Sequence, residues 1–237
     1  MWGRALPTEL ILPGPPVVAV ALKRSARAKR LSLRVSGLDG RVSLTLPPRV
    51  PLHEAEVFLR EKEAWLREAL ARNPDVVCVA PGVEVLLQGA THQVEVAAVK
   101  AVRVEGDRLL VPSRTPERTG ARVEAFLKLQ ARQRLQAASD FYAEKLGRPY
   151  GRLTLRDTRS RWGSCSAEGN LNYSWRLIMA PVEVLDYVAA HEVAHLAEMN
   201  HSRAFWDVVM QLYGPYAAPR GWLRTHGAEL HRYRFTD

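Results

Sequence analysis

The strongest constraint in the 237-residue sequence is the run His191-Glu192-Val193-Ala194-His195, followed by a third histidine at His201. Positions four apart on an α-helix share one face about 6 Å apart along the axis, so His191 and His195 can reach one metal ion. A catalytic zinc ion takes three protein ligands and keeps its fourth position for water, so a third donor is needed nearby. His201 is the favoured candidate and Glu198, three positions after His195, is the rival. Glu192 is turned about 100° around the helix from His191, which places its carboxylate beside the ion and not on it. That suits a general base taking a proton from a zinc-activated water as it attacks a carbonyl, which is the chemistry of peptide-bond hydrolysis.

The run lies in a stretch that is apolar nearly all round, with Val182, Val184, Val188, Ala189, Val193 and Leu196 on its several sides. Such a helix is buried. Polar groups on it need partners, because each one left unsatisfied costs on the order of 1–3 kcal/mol, and a metal ion is one partner for imidazoles.

An apolar share of 47% is enough for a full core, and the formal charge of +9 makes an acidic partner such as nucleic acid conceivable. Lys23, Arg24, Arg27, Lys29, Arg30 and Arg34 crowd one stretch without interleaved aromatics for base stacking, so a solvated sheet face is preferred there over a nucleic-acid contact. The two cysteines, Cys78 and Cys165, stand in no metal-ligand or redox spacing, which points to a reducing compartment. The apolar run 17–22 is short, follows Pro13, Pro15 and Pro16, and lacks a basic leader, so it reads as a strand. No segment approaches the roughly 20 apolar residues of a membrane helix. A cytoplasmic protein with no membrane partner is expected.

Alternation at 31–35 and 42–46 around Gly37-Leu38-Asp39-Gly40 predicts a β-hairpin. Residues 53–72 follow helical spacing until Asn73-Pro74 stops them. Strands are expected at 83–87, 94–96, 99–104 and 109–111, the last pair turning at Gly106-Asp107. A polar break at 112–116 divides this β-rich part, residues 1–112, from a second domain, 113–237. There a long helix through 123–142 stops at Gly147 and Pro149, and alternation at 153–155 and 171–177 predicts a hairpin with a long loop. Pro181 suits the first turn of the metal helix, which should fray at Asn200; Ser202 can cap the next one. His201 then occupies the corner between two helices. His53, His92, His226 and His231 have no ligand spacing and read as structural or surface residues. The fold class is α+β.

Three stretches carry a resemblance to a known family: R-S-R-W-G-S-C-S (159–166), G-N-L-N-Y-S-W-R-L-I-M-A-P (169–181) and Y-V-A-A-H-E-V-A-H-L-A-E-M-N-H-S-R-A-F-W (187–206). With them the chain resembles the YgjP-like metallopeptidases, relatives of the SprT-like and WLM zinc peptidases. The resemblance implies a zincin-like catalytic domain with the HExxH helix at its centre. It implies Zn2+ held by His191, His195 and His201, and Glu192 as the catalytic glutamate. The ligand spacing also equals that of metzincins, which want glycine where this chain has Glu198.

The implied activity is a zinc metallopeptidase, an endopeptidase on protein or peptide substrates. One alternative is a protease acting on protein attached to nucleic acid, for which the basic charge would be functional. Another is a non-catalytic zinc-stabilised binding module, which normally closes its site with four protein ligands. In the loop 159–165, Trp162 is expected to pack in the core and Cys165 to be a small buried side chain, not a zinc ligand or a switch. A substrate peptide is expected along a strand edge of the 152–178 segment, and Tyr213, Tyr216, Arg220 and His226 are eligible to steady the oxyanion.

Overall fold

The computed structural model describes residues 7–36, 40–71, 76–113 and 116–235. The chain divides into two compact units, Met1–Asp75 and Val76–Asp237. The turn residues 37–39, the stop at Asn73-Pro74 and residues 114–115 of the polar break lie outside the described residues.

In the first unit, strands β1 (Glu9–Leu12), β2 (Val18–Arg24), β3 (Ser32–Val35) and β4 (Val42–Leu46) form one sheet in the order β1-β2-β4-β3. The expected pairing of 31–35 with 42–46 is present as the antiparallel ladder Ser32↔Thr45 to Val35↔Val42. Alternation aims Leu12, Val18, Val20, Val42, Leu44 and Leu46 into a core completed by Ala55, Leu59 and Leu66. Those last three come from helices α1 (Leu52–Glu61) and α2 (Glu63–Ala71), which replace the single helix read from the sequence. Lys62 ends α1 with φ −95° and ψ 5°, a local break that side-chain periodicity does not register.

The second unit begins with β5 (Val77–Cys78), followed by β6 (Glu84–Leu87), β7 (Ala90–Ala97), β8 (Arg103–Glu105) and β9 (Arg108–Pro112) in a sheet ordered β6-β7-β9-β8. Val85, Val94, Leu109 and Val111 from this sheet share a core with Val123, Leu127, Ala131 and Leu135 of the long helix α3 (Thr119–Leu146). For that reason the compact units divide at 75/76, whereas the break in composition falls at 112/113. Gln88 and Gly89, with φ of 51° and 81°, form the two-residue tip between β6 and β7. Their N–H groups donate to the carbonyls of Ile178 and Met179 at 2.7 and 3.1 Å, and a Cβ on Gly89 would press on Pro181 at 3.0 Å. The tip therefore fixes the entrance to the next helix, α4 (Val182–Ala194).

Between α3 and α4 lie β10 (Leu153–Arg156), β11 (Gly163–Cys165) and β12 (Leu171–Ser174), ordered β10-β12-β11. The hairpin expected between 153–155 and 171–177 is not formed: β10 runs parallel to β12, and β11 makes the antiparallel pair. Part of the expected loop is itself the edge strand. The second stretch of alternation also overreached, because Trp175–Met179 coil into a 3-10 turn that buries all five side chains. Helices α5 (Arg203–Leu212) and α6 (Ala217–His226) follow, and β13 (Tyr233–Arg234) returns to pair in parallel with β5. The class is α+β, with β-rich structure preceding a metallopeptidase-type helix that carries His191 and His195.

Candidate metal centre and active site

Helix α4 buries Val184, Leu185, Val188, Ala189, Ala190, Val193 and Ala194. Its packing against α3, α5, α6 and β11 leaves it in the interior, as its all-round apolar sequence requires. The helix ends at Ala194 with His195 as its C-cap, five residues before the fraying point expected at Asn200. The chain then turns through the corner that carries His201. Arg148 anchors this corner by donating to the Leu196 carbonyl at 2.6 Å, and Asn200 Oδ1 accepts from the Ser202 N–H at 3.0 Å. Ser202 caps α5 as expected, its hydroxyl accepting from the Phe205 N–H.

The corner brings His201 back onto α4. The ligating atoms of His191, His195 and His201 all lie within 4.8 Å of one another, and Glu198 is not in that group. His201 Nε2 stands 3.1 Å from His191 Nε2. Two nitrogens bound at 2.0–2.1 Å to one tetrahedral ion would be about 3.3 Å apart, so this pair already has the spacing of a shared ion. His195 Nδ1 is 3.0 Å from the Glu198 carbonyl. A carbonyl only accepts, so Nδ1 carries the proton and Nε2 keeps its lone pair for a metal. Glu198, the rival ligand, thus acts through its backbone oxygen.

Phe205 floors the cluster: its ring lies 4.9, 4.4 and 4.7 Å from the imidazoles of His191, His195 and His201. Burial, with the neighbouring His195 and His201 adding to it, lowers the His191 pKa to about 3. Burial lowers that of His195 as well, although its bond to Glu198 opposes the shift. At neutral pH His191 and His195 are in the unprotonated form that ligates metals. The donor set, its spacing and the bond orienting His195 fit a metal ion.

The imidazoles open onto a pocket of about 420 Å³. Glu192 lines it, is 5% exposed, and has its carboxyl raised to about 8 by burial, with Arg161 pulling the other way. Edge strand β11 forms one wall through Gly163, Ser164 and Cys165. Apolar surface comes from Trp162, Val188, Met199 and Leu223, and Tyr187 joins them with its hydroxyl raised to about 12 by burial.

Trp162 is half-buried and packs against both the core and the His231 ring, so it serves the core and the pocket together. Cys165 is half-buried, its thiol donating to the Ser166 carbonyl and raised to about 11 by burial. Tyr213, Tyr216, Arg220 and His226 do not line this pocket; the Tyr213 hydroxyl donates to the Glu183 carbonyl, and His226 pairs with Glu229. Sequence reading missed Tyr187, Met199, Phe205 and Gly163 as parts of the site. Tyr187 was within reach, since it stands one helical turn before His191. The others join it only through the corner and the strand edge.

An α+β fold carrying three convergent imidazoles and a buried glutamate on one helix and its following corner defines a zincin-like metallopeptidase domain. The sequence matches the family described as YgjP-like, metallopeptidase domain, over residues 29–226, and the chain belongs to that family. Among solved structures it is similar to the metallopeptidase zymogen of Pyrococcus abyssi abylysin, at 20% identity and a TM-score of 0.35, over 39% of this chain and 92% of that one. No curated protein matches the chain.

Proposed function

We propose that this chain is a zinc-dependent endopeptidase in which His191, His195 and His201 hold the ion and Glu192 carries the proton. The observation supporting it most is the convergence of those imidazoles beside the Glu192 carboxyl in one open pocket. Zinc in such a site supplies Lewis acidity, polarising the scissile carbonyl and bringing the pKa of water to about 7. Glu192 takes the proton of the attacking water and returns it to the leaving nitrogen as the peptide bond breaks. Three histidine donors, and not four, form the group among the described residues, which favours catalysis over a purely structural ion.

The substrate is an extended stretch of protein lying along β11, whose pairing among the described residues is with β12 alone. A strand edge running past Glu192 suits internal cleavage. Two free thiols, Cys78 exposed and Cys165 half-buried, support a cytoplasmic setting, and no helix of the described residues is long and apolar enough to cross a membrane. Incubating an unfolded protein with the enzyme tests the proposal: chelator should stop cleavage and added zinc restore it, whereas chelator-insensitive cleavage would refute it.

A second reading, a protease working on protein bound to nucleic acid, is favoured by one observation. Lys23, Arg27, Lys29, Arg30 and Arg34 are exposed, and none of their side chains has a hydrogen-bond or ion-pair partner among the described residues. Duplex DNA binding should then weaken with salt, with a log-log slope approaching −4 to −5 if all of them meet phosphates. Charge reversal at Lys29 and Arg30 should flatten that slope. Absence of salt-dependent binding would discard this reading.

A further inference from the structure

We propose that Gly163 seats the Glu192 carboxylate, the missing side chain on β11 setting where that carboxylate stands. The inference rests on Glu192 as the proton carrier, and makes Gly163 a positioning residue. A Cβ built on Gly163 would lie 2.5 Å from Glu192 Oε1, 2.6 Å from its Cγ and 2.7 Å from its Cδ. Non-bonded carbons are at their best about 3.5–4.0 Å apart, and real Cβ atoms essentially never come within 3.0 Å of another heavy atom, so glycine alone leaves room for the glutamate as it stands.

The backbone does not explain this glycine. Gly106 and Gly147 have φ of 61° and 72° with open space where a side chain would go, so there the conformation itself calls for glycine. Gly163 has no such positive φ and sits in register opposite Tyr173 in the β11 ladder. Glycine inside a strand weakens it, and its presence often marks a close approach by another group. Here that group is the side chain the chemistry needs.

The backbones of both partners are held in place. The Ser174 N–H donates to the Trp162 carbonyl at 2.8 Å, which ties the start of β11 to the end of β12. The Trp162 indole is lodged against Gly227, where a Cβ would meet it at 2.9 Å. The Glu192 backbone for its part belongs to α4, which packs against α3, α5, α6 and β11. An alanine at 163 would therefore move the most mobile of these groups, the end of the Glu192 side chain, and leave the fold in place.

Thermal melts of the wild type, Gly163→Ala, Glu192→Ala and the double variant test the contact without reference to activity. With Glu192 present, Gly163→Ala should lower the melting temperature by roughly 2–10 °C, the expected range for a modest overpacking. In the Glu192→Ala background, where the clashing atoms are gone, it should lower it little or not at all. In cleavage assays Gly163→Ala should lose roughly a hundredfold in kcat, the size of effect a misplacement near 1 Å produces, with KM and metal content kept. Equal melting losses in both backgrounds, or a wild-type kcat for Gly163→Ala, would overturn the proposal. Thermal coupling found in a protein whose wild type cleaves nothing would leave the seat standing and count against the peptidase reading instead.

Discussion

At the scale of single residues, Glu192 is the side chain whose environment says most. Burial raises its carboxyl to about 8 from an ordinary 4.5, so in metal-free protein the folded state holds a proton that the unfolded chain has released between those values. The stability this contributes is fully present below 4.5 and is lost as pH rises through about 8. Glu192→Gln does not titrate and has nearly the same shape. In urea melts of metal-free protein the variant should match the wild type near pH 4.5 and exceed it above pH 8. His191, lowered to about 3, destabilises both proteins alike as pH falls below 6.5, so the difference between them isolates Glu192. An unchanging difference across the range would mean that the carboxyl is not buried as described. Residue spacing was enough to bring His191, His195 and Glu192 together at one pocket, because a helix converts spacing directly into facing. Phe205 and Gly163 were not legible, because their roles depend on which surfaces a corner and a strand edge bring against α4.

At the scale of elements, the arginine-tryptophan loop between β10 and β11 is held by a pair that the sequence does not announce. Arg176, 9% exposed, donates to both Asp157 oxygens at 2.7 and 3.2 Å and to the Leu230 and Tyr233 carbonyls at 3.0 and 3.2 Å. Its guanidinium also lies 4.7 Å over the Trp175 ring. One side chain thus ties the loop start, the 3-10 turn after β12 and the returning chain end together. Arg176→Met should cost about 2–3 kcal/mol in denaturant unfolding, since two carbonyls lose a buried donor while the half-exposed Asp157 regains water. Asp157→Asn should cost less, because the carbonyl bonds remain. A neutral Arg176→Met would remove this tie from the description. Period-two alternation found β10 and β12 but assigned them as a hairpin: periodicity reports which face a residue occupies and carries nothing about strand direction. The parallel arrangement follows from β11 filling the hairpin position, and its three residues are too few to show a period.

At the scale of the whole molecule, the core of the second unit spans the β6–β9 sheet, α3 and α4: α3 lies against the metal helix and also against β9, a strand from before the polar break. The sequence marks a break where composition changes, while compactness follows burial, and the two differ here by some tens of residues. A site set in that core should couple metal binding to stability: zinc at about 100 times its Kd adds roughly 2.7 kcal/mol, so chelation should lower the melting temperature measurably. No shift on chelation would place the imidazoles off the ion. The most direct test of the three-histidine centre with its glutamate is the rate of cleavage of an unfolded protein by Glu192→Gln, on preparations whose zinc content is measured. The prediction is one zinc per chain with cleavage lowered by about 10²–10⁴-fold, the range of a lost general acid–base group. Cleavage near the wild-type rate by the zinc-loaded variant would contradict it.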